Sequence, residues 1–129
     1  MWTFVRAFTD EGLIGTGECN SGGYYTGFAV KETVMALRDS IVGSNPMNIG
    51  PLMERLRRRG RYGGGSMAPV SFALTGIETA LYDIVGKALG VPVSTLLGGR
   101  YREEIALYAD CEAGEEDTVD SIRERALQV

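Results

Sequence analysis

One stretch of this sequence dominates what the chain can fold into. From Val70 to Leu89 the apolar residues Val70, Ala73, Leu74, Ile77, Ala80, Leu81, Ile84, Val85, Ala88 and Leu89 recur at helical spacing. They cover most of a helix's circumference, and a helix that is apolar nearly all round has to be buried on most of its sides. Gly90 is placed to end it as the residue after the last turn, with Pro92 just beyond. The rest of the chain must therefore be arranged around this helix.

Two amphipathic helices precede it. Val30, Val34, Leu37 and Ile41 form one stripe, broken at Gly43 and Asn45-Pro46; Ile49, Leu52, Met53 and Leu56 form another, backed by Glu54, Arg55 and Arg57 to Arg59. The opening reads as a β-hairpin, with Trp2 to Phe8 alternating, Thr9-Asp10-Glu11-Gly12 turning and Leu13 to Glu18 returning. A lone hairpin is marginal in water, so these strands need a third strand or a packed helix. Between hairpin and helices, Asn20 to Gly27 reads as a glycine-rich loop carrying Tyr24 and Tyr25.

The tail changes character after the tight turn Leu96-Leu97-Gly98-Gly99-Arg100. Ile105, Leu107 and Ala109 alternate as a strand would, and Asp117 or Thr118 caps a last helix with Val119, Ile122 and Ala126 on one face. A strand followed by a helix is half of a βαβ unit. The expectation is an α+β fold, antiparallel strands with a helical bundle, followed by a β/α half unit that no second parallel strand completes.

Composition narrows the chemistry. The chain has 129 residues, the length of one ordinary domain, with 44% hydrophobic and 23% charged residues, as soluble globular proteins have. No apolar run approaches the ~18 residues of a membrane span. The first residues lack the basic and apolar regions of a signal peptide, which gives a cytoplasmic expectation. With no histidine, Ser-His-Asp and Cys-His triads, zincin motifs and an imidazole base are outside what these residues do alone. Cys19 and Cys111 are too few for a disulfide framework or a zinc site.

Arg55, Arg57, Arg58, Arg59 and Arg61 fit a solvated helix end whose cations favour the C-terminal dipole. The competing use of such a patch is attraction of an anion, which would make the chain a stand-alone anion-binding or interaction module. A net charge of −4 speaks against nucleic acid. Gly63-Gly64-Gly65-Ser66 lacks the ending of a phosphate loop, and Gly15-Thr16-Gly17 lacks the third glycine of a dinucleotide fingerprint. Asp83 and Lys87 read as an i, i+4 pair on the long helix, with Glu78 on the same helix.

Taken together, Thr9 to Glu18, Gly43-Ser44-Asn45-Pro46, Ile77 to Val93 (Ile-Glu-Thr-Ala-Leu-Tyr-Asp-Ile-Val-Gly-Lys-Ala-Leu-Gly-Val-Pro-Val) and Leu96-Leu97-Gly98-Gly99 resemble the amino-terminal capping domain of the mandelate racemase and muconate lactonizing branch of the enolase superfamily. The likeness covers nearly all of the chain. Within the branch, Trp2-Thr3-Phe4-Val5, Thr9 to Gly12 and the Arg-Gly-Arg-Tyr-Gly-Gly-Gly run look most like the acid-sugar dehydratases, galactonate dehydratase among them.

The resemblance implies a capping domain over residues 1–100, a three-stranded meander and helical bundle whose first strand would precede Trp2. Residues 101–129 would begin a truncated modified TIM barrel, with Ile105 to Asp110 as its first strand. It also implies abstraction of the proton α to a carboxylate, an Mg²⁺-stabilised enediolate, and metal ligands and bases on later barrel strands. No catalytic and no metal-binding residue carries over to this chain, which is expected to be inactive alone. What carries over is the cap: Asn20, Tyr24 and Tyr25 against the distal end of a sugar-acid substrate, with Asp110, Cys111 and Glu112 at the end of the barrel strand. Asp83 and Lys87 would tie cap to barrel. A racemase or cycloisomerase would carry the same cap, the partner would be the chain's own barrel, and relatives are often homo-oligomers.

Overall fold

A computed structural model describes residues 2–19, 24–62, 68–107 and 118–127. The elements are β1 (Thr3–Phe8), β2 (Ile14–Cys19), α1 (Tyr24–Leu37), a 3-10 turn (Arg38–Ser40), α2 (Ile49–Tyr62), α3 (Ala68–Leu89), the single turn α4 (Val93–Leu96) and α5 (Val119–Ala126). They fall into two compact units, Met1–Gly99 and Arg100–Val129.

In the first unit β1 and β2 pair antiparallel from Thr3↔Cys19 to Phe8↔Ile14. Thr9 closes the hairpin: its hydroxyl accepts the Leu13 N–H at 2.9 Å, and its own N–H donates to the Leu13 carbonyl at 2.9 Å. Alternation puts Phe4, Arg6, Phe8, Thr16 and Glu18 outward, and Val5, Ala7, Gly15, Gly17 and Cys19 inward. Arg6 lays its guanidinium over the Phe8 ring, 5.2 Å from the centroid.

The inward face of β2 has almost no side chains, so its backbone lies directly on α3. A Cβ added at Gly15 would fall on the Ala80 carbonyl, and one at Gly17 on the Gly76 carbonyl. Gly76 returns the favour, because a Cβ there would overlap the Cys19 sulfur. The other side of α3 makes the main core with α1 and α2: Leu37, Leu52, Met53, Leu56, Ile77 and Leu81 are buried together. A smaller cluster joins Cys19, Val30 and Ala73. Fully burying such aliphatic side chains stabilises by about 1.5–3 kcal/mol each, which is why α3 anchors the unit.

α3 ends as its sequence dictates. Gly90 has φ +65°, the Val91 N–H donates to the Gly86 carbonyl at 3.0 Å and the Gly90 N–H to Lys87 at 3.3 Å, the paired bonds of a Schellman cap. Two expectations need correction. α1 starts at Tyr24, so the stretch read as loop up to Gly27 ends four residues earlier; Gly27 is buried within the helix, and packing outweighs glycine's cost of about 1 kcal/mol. The first barrel strand expected over Ile105 to Asp110 is not formed by Ile105, Ala106 or Leu107, which pair with no strand among the described residues; Tyr108 to Asp110 lie outside them. Alternation becomes a strand only where a neighbouring backbone completes the ladder, and Leu107 is 92% exposed.

Among the described residues the sheet has two strands, with no third. In the second unit α5 forms where expected: Thr118 and Ser121 cap each other, the Ser121 N–H donating to Thr118 Oγ1 at 3.2 Å and the Thr118 N–H to Ser121 Oγ at 3.1 Å. No described helix is long and apolar enough to cross a membrane.

The β2–α3 contact is testable by one methyl group. Gly17→Ala is expected to destabilise the chain by about 2–3 kcal/mol or to prevent folding. Gly50→Ala, on an α2 site with nothing within 4 Å, is expected to change stability by less than ~1 kcal/mol. Urea melts of the two variants beside the wild type check both, and equal midpoints would remove the close approach as a determinant of the fold.

Candidate functional site

Two of the residues singled out for substrate contact, Tyr24 and Tyr25, follow β2 at the start of α1. β2 delivers the chain to Cys19, which is 1% exposed. Burial pushes the Cys19 thiol up from its ordinary value, with a smaller contribution from the Glu18 carboxylate and an opposing one from the Gly76 backbone. A protonated thiol packed in the core is a small hydrophobe and no nucleophile. Asn20 lies outside the described residues. Tyr24 and Tyr25 open α1, on successive positions that a helix turns by about 100° from one another. Val30, one and a half turns further on, is fully buried with Ala73 and Cys19. Asp110, Cys111 and Glu112 lie outside the described residues, as does Gly63 to Ser66.

Asp83 and Lys87 do what periodicity alone did not reveal. The Thr16 N–H donates to Asp83 Oδ2 at 2.9 Å, and Lys87 Nζ donates both to Asp83 Oδ2 and to the Ile14 carbonyl, each at 2.7 Å. The pair thus occupies the outer edge of β2, the edge facing away from β1. These contacts bind strand to helix within the first unit. A lone Asp and Lys one turn apart on an apolar helix were the visible signal; the strand 67 and 73 residues away was not.

Beside the other edge, that of β1, lies a cleft of about 1040 Å³ with an apolar floor that includes Leu52, Ile77, Leu81 and Ile84 and a rim that carries Arg6 and Arg38. The edge of β1 next to it has no partner strand among the described residues.

Four of the five clustered arginines have internal partners. Arg55 donates to the Ser40 carbonyl and to Ser44 Oγ, both at 2.7 Å; Arg59 donates to the Ser40 hydroxyl; Arg57 spans both Glu78 oxygens at 3.0 and 3.2 Å; Arg58 donates to Glu54 at 2.8 Å. The patch therefore knits α2 to the 3-10 turn and to α3, where a free helix end was expected. No group of three or more Cys, Asp or Glu side chains among the described residues is placed to hold a metal ion. Asp83, Glu78, Glu54 and Glu103 each face a cation instead. These residues do not fit a Mg²⁺ site.

Residues 1–98 match the family described as mandelate racemase / muconate lactonizing enzyme, N-terminal domain. The chain is 36% identical over 128 residues to a D-xylonate dehydratase of Haloferax volcanii, covering 99% of this chain and 30% of the relative. It is 41% identical to a D-galactonate dehydratase of Verminephrobacter eiseniae, covering 96% and 32%. Among solved structures, an enolase-superfamily member from Salmonella Typhimurium aligns with a TM-score of 0.83 at 33% identity, over 97% of this chain and 34% of that one. A mandelate racemase/muconate lactonizing enzyme-like protein from Rubrobacter xylanophilus aligns at 0.78 and 39%, over 88% and 28%. The chain spans about a third of the length of these relatives.

The strand clamp has a pH signature. Asp83's carboxyl is held below its ordinary 3.8 by its hydrogen bond to Lys87, helped by the Thr16 N–H and opposed by slight burial. A depressed carboxylate contributes stability that is full above its unfolded pKa and is lost as pH falls through the folded value. Asp83→Ala is expected to cost about 1 kcal/mol at pH 7, with the margin to wild type holding down to about pH 5 and closing below 3.8. Denaturant melts between pH 7 and 3 read it; a margin that widens on acidification would refute the clamp.

Proposed function

The chain belongs to the mandelate racemase / muconate lactonizing enzyme family, and we propose that it is the capping and opening segment of an acid-sugar dehydratase. The observation that carries this reading is identity of 36% and 41% to D-xylonate and D-galactonate dehydratases across 99% and 96% of the chain. Racemases and cycloisomerases share such a cap, and the likeness to dehydratases over the chain's full length favours dehydration. The reaction removes the proton α to the substrate carboxylate and expels the β-hydroxyl, leaving an enol that becomes a 2-keto-3-deoxy acid. A Mg²⁺ ion, if bound by residues outside this segment, would stabilise the negative charge that develops on the substrate.

In this reading residues 1–100 form the cap and 101–129 begin the barrel, a division supported by the boundary between compact units at Gly99 and Arg100. A strand ahead of Trp2 would pair with the open edge of β1 and fill the apolar cleft beside it, since Asp83 and Lys87 occupy the other edge. Asn20, Tyr24 and Tyr25 contact the distal hydroxyls of the substrate, where amide and phenol groups suit a polyol chain. Asp110 and Cys111 would come to the end of the first barrel strand once the rest of a barrel supplies the neighbours that complete it, the side on which such barrels build active sites. The segment alone is inactive, and the whole protein works on small sugar acids in the cytoplasm.

Incubation with D-galactonate or D-xylonate and Mg²⁺ tests the proposal. Residues 1–129 alone are expected to form no 2-keto acid by semicarbazide assay, whereas the protein carrying them on a barrel forms it and stops when EDTA removes the metal. Epimerisation without loss of water, read by polarimetry or NMR, would replace the dehydratase with a racemase.

A further inference from the structure

Two buried residues flank the segment that runs from the end of β2 into the first turn of α1, where Tyr24 and Tyr25 stand: Cys19 ends β2, and Val30 lies in α1. Both side chains pack into the same cluster with Ala73 of α3, and all three are within 1% of complete burial. Gly76 lies three residues beyond Ala73, on the same side of α3, and it is the residue whose missing side chain makes room for the Cys19 sulfur. A Cβ at Gly76 would also meet Val5 Cγ2 at 3.3 Å. Two adjacent turns of α3 therefore set the place of the last residue before the segment and of the first fully buried residue after it.

α1 is one continuous helix from Tyr24 to Leu37, so its first turn cannot move independently of Val30. Tyr24 stands six residues before Val30, about 9 Å along the axis at 1.5 Å per residue. Protein interiors are close-packed, and extra methyl groups at a filled contact displace the elements that meet there. We infer that Ala73 and Gly76 are positioning residues for substrate selection: by fixing how closely Val30 and Cys19 approach α3, they fix where Tyr24 and Tyr25 stand. This rests on the reading that the two tyrosines meet the distal end of a sugar acid. The distal end is where a six-carbon acid differs from a five-carbon one, so the position of the first turn of α1 sets the preference between them.

The experiment compares kcat and KM for D-galactonate and D-xylonate in the full-length protein carrying Ala73→Val, Ala73→Ser, Val30→Ala or the pair Tyr24→Phe with Tyr25→Phe. Ala73→Val is expected to raise KM and shift the ratio of the two kcat/KM values about threefold or more, since small misplacements at a site are felt strongly, while kcat for the better substrate stays within about twofold. Val30→Ala, which loosens the same contact, is expected to shift the ratio as well, and Ala73→Ser to restore it. A purely structural role would lower the amount of active protein and leave the ratio alone. A wild-type ratio in Val30→Ala overturns the inference even where Ala73→Val does not fold. The tyrosine pair separates the two levels: if it leaves the ratio unchanged the substrate-contact reading fails, and if it shifts the ratio while Ala73→Val and Val30→Ala do not, only the positioning inference fails.

Discussion

The rest of the first unit depends on the approach of one bare strand face to one helix. Gly15 and Gly17 of β2 meet the carbonyls of Ala80 and Gly76 with no side chain between them, so strand and helix backbones lie as near as van der Waals contact allows. That closeness lets Val5 of the neighbouring strand reach past the sheet into both buried clusters. It also brings Asp83 and Lys87 within 2.9 and 2.7 Å of the backbone of β2. A larger residue at either glycine would lift the strand and break all of these contacts at once.

The ion pair then gives the sheet a direction. An exposed i, i+4 pair is worth only about 0.3–0.5 kcal/mol by itself, yet this one does more, because it occupies an N–H and a carbonyl that an edge strand would otherwise present to any passing chain. With that edge occupied, growth of the sheet is possible on the β1 side, where the apolar cleft lies. The two edges of a hairpin of two six-residue strands have thus been made unequal by two side chains from a helix some 70 residues later in sequence.

What the sequence disclosed and what it hid divide along the same line. α2, α3, the hairpin and its turn, the Gly90 cap and a cap at Asp117 or Thr118 were legible because each is written in local spacing. The start of α1 was not, since Tyr24 to Gly27 carry weak helix signals and the burial of Gly27 and Val30 decides the matter. The strand expected over Ile105 to Asp110 showed the right alternation, and its described part, Ile105 to Leu107, has no neighbouring strand among the described residues. For the site, residue types pointed to Tyr24 and Tyr25, but nothing local linked them to Ala73 and Gly76, about 50 residues away. The roles of Asp83, Lys87, Arg55 and Arg57 were equally out of reach, because each side chain's partner is set by the packing of whole elements.

The arginines also constrain how a cap of this kind can select its substrate. A sugar acid is an anion, and a run of five arginines invites an electrostatic account of its capture. Yet Arg57 and Arg58 face carboxylates, and Arg55 and Arg59 are held by Ser40 and Ser44, while the chain as a whole carries −4. Their charge is used to fasten α2 to its neighbours, and at the exposed surface screening weakens what remains. Under the proposed function, selection by this segment would fall to shape and hydrogen bonding at uncharged groups. Such groups discriminate only as finely as their placement is fixed, and in that proposal the packing of α1 and β2 on α3 would fix it.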